Sequence, residues 1–286
     1  MEPKIILITG ASDGIGKATA MALAAEGHTL ILHGRNKEKT AAACKEIRSA
    51  TGNSSIDMYT ADFLLLEEVK HFAWLIKQRY DHLDVLINNA GAQFTNKRET
   101  TTEGHEKTTA INLLAPYLLT TLLLDLLKKS LSARVVSVSS ASHSMGKVDV
   151  NDIEFENGYT MARAYGVTKK YLIWIMQHFV IEMQRRGIQH VSFNSVHPGS
   201  TPTRLARESS KIWAFKIIMV LWTPMMNSME KAISASVKCA ISPDLEGVSG
   251  KYFGPKGIQK VNQKYYSPAN EQVVWDYCQK VTEKYQ

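Results

Sequence analysis

Cysteine is nearly absent from this sequence. Its three residues, Cys44, Cys239 and Cys278, are odd in number and stand at no metal-ligand or redox-motif spacing. That excludes a disulfide framework, predicts no metal centre and points to a reducing compartment, the cytoplasm. Such small, weakly polar side chains are expected in a core. Long apolar runs are lacking too. The most apolar late stretch, Ile212 to Met226, is interrupted by Lys216 and Pro224. It falls short of the roughly 20 residues that cross a bilayer, so no membrane span is expected. The run Ile5 to Ile8 follows Met1 so closely that no leader segment is expected before it.

No Pro/Gly/Ser-rich linker, low-complexity tract or internal repeat divides the chain. One unit over residues 1–286 is expected, with 256–286 as a C-terminal extension. Positive charge is not concentrated either. The formal charge is +7 and the pI about 9.1, yet Lys37, Lys39, Lys128, Lys129, Lys169, Lys170, Arg185 and Arg186 are scattered. A nucleic-acid partner is therefore not expected, whereas a basic balance suits an anionic cofactor. With 44% hydrophobic and 21% charged residues, the composition is that of an ordinary globular chain and excludes disordered and collagen-like classes.

What is present is alternation. Short apolar runs at 4–8, 29–33, 56–60, 83–88, 133–138 and 190–196 read as strands. Helical patterns lie between them, near 15–26, 37–50, 65–79, 103–130 and 160–186, and a last one near 270–284. Residues 141–158 and 199–211 look irregular. Strand–helix alternation at this pace predicts βαβ units and a parallel sheet. Runs such as Ile5-Ile6-Leu7-Ile8 are apolar on both faces, as strands covered by helices on both sides must be.

The first strand leads into Thr9-Gly10-Ala11-Ser12-Asp13-Gly14-Ile15-Gly16 and then a helix. Gly10 suits a tight turn, Gly14 a close approach to a pyrophosphate, and Gly16 close packing of helix on strand. The helix N-terminus beyond, with Ser12 and Ile15 beside it, offers free N–H groups and a positive dipole end. The second strand ends Leu32-His33-Gly34-Arg35-Asn36. It lacks the acidic residue that holds unphosphorylated ribose hydroxyls, and its Arg35, with Asn36 next to it, suits a phosphate dianion. NADP(H) is the cofactor this favours over NAD(H). Asp62, after the third strand, reads as an adenine contact or a helix N-cap. The fourth strand ends Asn88-Asn89-Ala90-Gly91.

Proton chemistry is suggested by Tyr165-Gly166-Val167-Thr168-Lys169. Tyr and Lys four apart on a helix share a face. A phenol of pKa about 10 is a poor acid or base at neutral pH. An ammonium about 4 Å away is worth roughly 4 kcal/mol at an effective dielectric near 20, or about three pK units. The expectation is a phenol titrating near the working pH. Ser139-Ser140 closes the fifth strand, at the sheet edge where such folds bind ligands. Asn112 is a polar residue in an apolar helical run, either satisfied by backbone or holding a water or lysine. His197-Pro198-Gly199 redirects the chain after the sixth strand, and Thr203 follows, placed to bond a carboxamide or to cap a helix.

In this order and at these intervals, TGxxxGIG, NNAG, the helix Asn, the strand-five Ser, YxxxK and PG resemble the short-chain dehydrogenase/reductase family over residues 4 to about 255. The resemblance implies an α/β fold, a doubly wound parallel sheet of Rossmann type with strand order 3-2-1-4-5-6-7. It implies Tyr165 as acid–base, Lys169 as its tuner and a ribose contact, Ser140 as holder of the substrate oxygen and Asn112 as a proton-relay link. It further implies cofactor contacts at Gly10, Ser12, Gly14, Ile15, Gly16, Arg35, Asn36, Asp62, Asn89, Gly91, Pro198, Gly199 and Thr203. Ser139-Ser140-Ala141-Ser142-His143 and Ser249-Gly250-Lys251-Tyr252-Phe253 are similar to the retinol dehydrogenase-like branch, and Ala164-Tyr165-Gly166-Val167-Thr168-Lys169 to the carbonyl reductases.

Residues 203–226 would form a lid over the nicotinamide, rich in Trp, Phe and Met. That predicts a bulky, apolar carbonyl or alcohol as substrate. The expected reaction is NADP(H)-dependent hydride transfer; the rival expectation is a catalytically silent NADP-binding regulator or scaffold. Monomer and homo-oligomer both remain open.

Overall fold

The computed structural model describes residues 2–199 and 228–286. Its strands join in one sheet, β1 (Ile5–Ile8), β2 (Thr29–Gly34), β3 (Ile56–Thr60), β4 (Val85–Asn88), β5 (Ala133–Val138), β6 (Val191–Val196), β7 (Tyr252–Gly254) and β8 (Gly257–Gln259). The order across the sheet is β3-β2-β1-β4-β5-β6-β7-β8. The first seven are parallel, and β8 folds back antiparallel on β7, with Tyr252 opposite Gln259. The expected seven-strand order holds, with one more strand at its edge.

Side chains on adjacent strand positions point to opposite faces, and the strands divide accordingly. Leu7, Ile31, Leu86, Val135 and Phe193 enter one core, with helices α3 (Leu66–Arg79), α5 (Ala115–Lys128) and α6 (Met161–Arg185). Ile6, Ile8, Leu30, Leu32, Ile87, Val136 and Val196 enter the other, with α1 (Gly14–Ala25), α2 (Lys37–Thr51) and α7 (Met229–Ile241). Cys44, Cys239 and Cys278 are buried and free. The last helix, α8 (Pro268–Thr282), starts at a Ser267 cap with Pro268 in its first turn. It packs on α6 through Trp275, which meets Tyr117, Phe179 and His178. Residues 256–286 are thus built into the sheet edge and one helical layer.

The helix expected at 103–130 starts later and is not uniform. Gly104 sits at φ 90°, and Glu106 caps a short turn, α4 (Lys107–Thr109), by accepting the amides of Thr108 and Thr109. A π-turn, Ala110–Leu114, precedes α5, with the Ala115 amide bonded to the Ala110 carbonyl. Pro116 follows at once and offers no amide to the carbonyl of Asn112, so the wider turn falls where the α ladder is already broken. Among the described residues, Lys107–Lys128 is one helical run long and apolar enough to cross a membrane by length and composition; 78% of its apolar window is buried inside the protein.

Candidate active site

The glycine loop is held from two sides. Gly10 lies at φ 65° and Gly14, the first residue of α1, at φ 55°, with Asp13 as the N-cap. A Cβ on Gly16 would stand 2.3 Å from the Gly10 carbonyl oxygen and 2.4 Å from Asn89 Nδ2, so only glycine lets α1 close on the loop. Asn89 donates its side-chain amide to the carbonyls of Thr9 (2.8 Å) and Gly10 (3.1 Å). The amides of Asn89 and Ala90 donate to Thr9 Oγ1. Through Nδ2, Asn89 thus fastens β4 to the glycine loop, at the place where the resemblance sets a ribose-side contact.

Beside this loop lies a cavity of about 320 Å³, walled by Gly10, Ser12, His33, Arg35, Asp62 and Phe63 on one side and by Gly91, Ala92, Phe94 and Ile111 on the other. Arg35 is exposed, its guanidinium 3.9 Å from the Asp62 carboxylate. Asp62 does not cap α3. Its Oδ1 accepts the Leu64 amide, and Glu103, from the loop before α4, accepts the amides of Leu66 and Glu67 at the start of α3. Asn36 caps α2 by accepting the Lys39 amide (2.9 Å), and Ile15 sits in the first turn of α1; neither is a wall of the cavity.

His33 has no role in the sequence reading, yet it ties three strand ends together. Its Nδ1 accepts the Gly10 amide (3.2 Å), its Nε2 donates to the Ala61 carbonyl (3.0 Å), and its ring stacks on Phe63 at 3.8 Å. Burial pushes its pKa down to about 4, so the ring is neutral, with the proton on Nε2. The signal was a lone imidazole closing the apolar run Leu30-Ile31-Leu32.

At the end of β5, the two serines diverge. Ser139 Oγ donates into the protein, to the Lys169 carbonyl (2.8 Å), while the Ser140 hydroxyl faces the Tyr165 phenol, close enough to oppose the rise of its pKa. Ser140 Oγ also accepts the Ser142 amide (3.1 Å). Gly166 makes this meeting possible. A Cβ there would lie 2.7 Å from the Ser142 carbonyl oxygen and 2.8 Å from that of Met145, so α6 rests directly on the short 3₁₀ helix Ala141–Ser144.

Lys169 Nζ donates to the Val138 carbonyl (2.8 Å) and lies 5.9 Å from the Tyr165 ring centre. Both side chains are buried. Burial raises the phenol to about 12, the Ser140 hydrogen bond opposing it, and lowers the ammonium to about 7. The expected downward shift of Tyr165 by Lys169 is thus corrected: burial sets the direction, the opposing influence comes from Ser140, and the phenol holds its proton at neutral pH. Asn112 is buried and spends both ends of its amide on Ala92, accepting its N–H (3.1 Å) and donating to its carbonyl (2.9 Å). Of the two readings open for Asn112, the backbone-satisfied one is what the structure shows. A Cβ on Gly91 would lie 2.7 Å from Asn112 Oδ1 and 3.1 Å from Lys169 Nζ, so the two side chains converge beside that glycine.

Pro198 and Gly199 follow β6, the Gly199 amide donating to His197 Nδ1 (3.1 Å). Thr203 and the expected lid, 203–226, lie outside the described residues. The loop and its cavity fit a dinucleotide: the glycine-loop residues Gly10 and Ser12 share its walls with an arginine and a carboxylate beyond β2 and β3.

Comparison with known proteins agrees with this arrangement. Residues 4–212 match the short chain dehydrogenase family. The chain is 34% identical to human retinol dehydrogenase 13 over 255 residues, covering 87% of this chain and 76% of that protein. It is 33% identical to mouse retinol dehydrogenase 12 over 273 residues, covering 96% and 84%. A short chain dehydrogenase from Shigella flexneri, solved in complex with NADP, superposes with a TM-score of 0.69 at 27% identity, covering 88% of this chain and 97% of the other.

Proposed function

The chain belongs to the short-chain dehydrogenase family, in its retinol dehydrogenase-like branch, and from that premise we propose that it reduces a bulky, apolar carbonyl compound with NADPH, and runs the matching alcohol oxidation in reverse. The observation that carries the reading is the convergence of Ser140, Tyr165 and Lys169 at the C-terminal edge of the parallel sheet, beside the glycine-loop cavity.

When bound, the reduced nicotinamide supplies the hydride to the carbonyl carbon. Ser140, its lone pair engaged by the Ser142 amide, donates its hydroxyl proton in a hydrogen bond to the carbonyl oxygen and holds it beside the phenol. Tyr165 gives its proton to that oxygen as negative charge develops there. A phenol raised to about 12 is protonated at neutral pH and still far more acidic than the alcohol formed when the alkoxide takes its proton. Lys169, anchored on Val138, brings a proton-bearing nitrogen close behind Gly91.

Arg35 supports NADPH over NADH, because an exposed guanidinium fits a phosphate dianion and no acidic residue replaces it at the end of β2. Apolar walls at Ala92, Phe94 and Ile111 and the retinol dehydrogenase relatives support an apolar substrate of the retinal class. Three free cysteines, with no disulfide among the described residues, support residence in the cytoplasm. The test pairs NADPH with a panel of apolar aldehydes and ketones. Turnover that disappears in Tyr165→Phe while NADPH binding persists supports the proposal. An unchanged rate in that variant overturns it.

A further inference from the structure

The carbonyl of Ser140 is the target of three donors. The His143 amide reaches it at 3.0 Å, His143 Nδ1 at 2.9 Å and the Tyr252 hydroxyl at 3.2 Å. The first is the ordinary bond of a 3₁₀ turn. The other two come from side chains, one on that turn and one on β7, more than a hundred residues later in the chain. The tautomer of His143 is fixed by its far side, where Nε2 accepts the amide of Asn262 (3.2 Å). With a lone pair required at Nε2, a neutral ring carries its proton on Nδ1 and points it at Ser140. Burial lowers the pKa of His143, which keeps the ring neutral.

Tyr252 is held just as firmly. Its ring packs edge-on against His143 at 4.9 Å and stacks on His197 at 5.2 Å. His197 in turn hydrogen-bonds Gln259 on β8 through Nε2 (2.9 Å). Three buried rings therefore run from the turn after β6 to the turn after β5, and residues 257–262 lock both ends.

We propose that His143 and Tyr252 are positioning residues for the reaction: they clamp the Ser140 carbonyl, and so fix the peptide that aims the Ser140 hydroxyl at Tyr165, with Asn262 selecting the imidazole tautomer that makes the clamp. The inference rests on the reading of Ser140 and Tyr165 as the proton-transfer pair. Neither clamp residue is a wall of the glycine-loop cavity, so cofactor affinity should be insensitive to them.

The experiment compares His143→Leu, His143→Asn and Tyr252→Phe with the unaltered chain. Asparagine places an N–H near the position of Nδ1; leucine has none. His143→Leu is expected to lower kcat by about tenfold or more, the scale of one lost buried hydrogen bond, with NADPH affinity within about twofold. His143→Asn is expected to recover most of that loss, and Tyr252→Phe to lower kcat by a smaller factor. A second readout needs no turnover. With tyrosines labelled at Cζ, the Tyr165 resonance, identified by its loss in Tyr165→Phe, is expected to move in His143→Leu and stay in His143→Asn. Equal kcat and an unmoved resonance in His143→Leu would overturn the proposal, as would equal losses in the leucine and asparagine variants. If the unaltered chain reduces no carbonyl but the resonance still moves, the clamp stands and the reaction assigned to it falls.

Discussion

Arg35 and Asp62 face each other at the mouth of the glycine-loop cavity, the guanidinium 3.9 Å from the carboxylate. The arginine is two-thirds exposed, so the pair contributes little to stability and leaves the cation available for a ligand. Arg35→Ala should therefore weaken NADPH binding by about ten- to a hundredfold, the scale of a charge-assisted contact, while NADH binding stays within about twofold. Asp62→Asn removes a negative charge from the same mouth and should tighten NADPH rather than loosen it. Fluorescence titration with each nucleotide separates the outcomes; equal losses for both nucleotides in Arg35→Ala would remove the arginine from cofactor choice.

Gly166 is the contact surface between α6 and the turn that follows Ser140. Gly166→Ala forces its new carbon toward two carbonyl oxygens. The helix must lift away from the 3₁₀ turn, at about 1–3 kcal/mol of stability as for other overpacked sites. The change separates Ser140 from Tyr165, so kcat should fall more steeply than NADPH affinity. Thermal unfolding and steady-state kinetics on the same sample check both.

The buried Lys169 makes stability depend on pH. Its folded pKa, about 7, lies below the ordinary lysine value of 10.5, so the unfolded chain binds the proton more tightly. Its contribution is fully present above about pH 10.5 and is lost progressively as the pH falls toward 7. Lys169→Met should flatten that slope: the variant gains on the parent as the pH drops from 10 to 7. Tyr165 acts in the opposite sense, since a folded pKa of about 12 against 10 makes its contribution decline from pH 10 upward. Denaturant titrations at several pH values resolve the two, and a Lys169→Met curve parallel to the parent would contradict the assignment.

His33 predicts an acid limb. With a folded pKa of about 4 against 6.5, its contribution is present above pH 6.5 and lost as the pH falls toward 4. Protonating Nδ1 also ends its acceptance of the Gly10 amide. His33→Asn should flatten the stability profile between pH 6.5 and 4; an unchanged slope would place the acid sensitivity elsewhere.

The sheet was readable from the sequence because its strands are short, apolar on both faces and separated by periodic helices, so burial alone sets their positions. The helix expected near 103–130 starts only at Lys107, where Glu106 caps it, while Glu103, in the loop before it, caps α3 instead. No local pattern reports a cap supplied from 37 residues away. The two serines differ in a way that spacing does not report: Ser139 is spent on the Lys169 carbonyl, whereas Ser140, the one the resemblance implies, faces Tyr165. The structural bonds of Asn36 and Asn89, a cap on α2 and a tie from β4 to the glycine loop, were not legible, because a polar residue at a strand end looks the same whatever it bonds. The pK expectation for Tyr165 failed on desolvation: spacing on a helix tells which charges are near, and says nothing of how much water is removed.

Residues 252–262 reach back to Ser140 across more than a hundred positions of chain. On the ribosome, β1 to β6 and α6 emerge well before the hairpin and Asn262 do, and contacts this distant in sequence form late. A nascent chain can therefore assemble the nucleotide-binding half of the fold while its proton-transfer pair is still unclamped. The tail is tied both to the core, through Trp275 against Tyr117 and Phe179, and to the turn that carries Ser140, so a truncation near residue 250 is expected to cost fold stability as well as turnover.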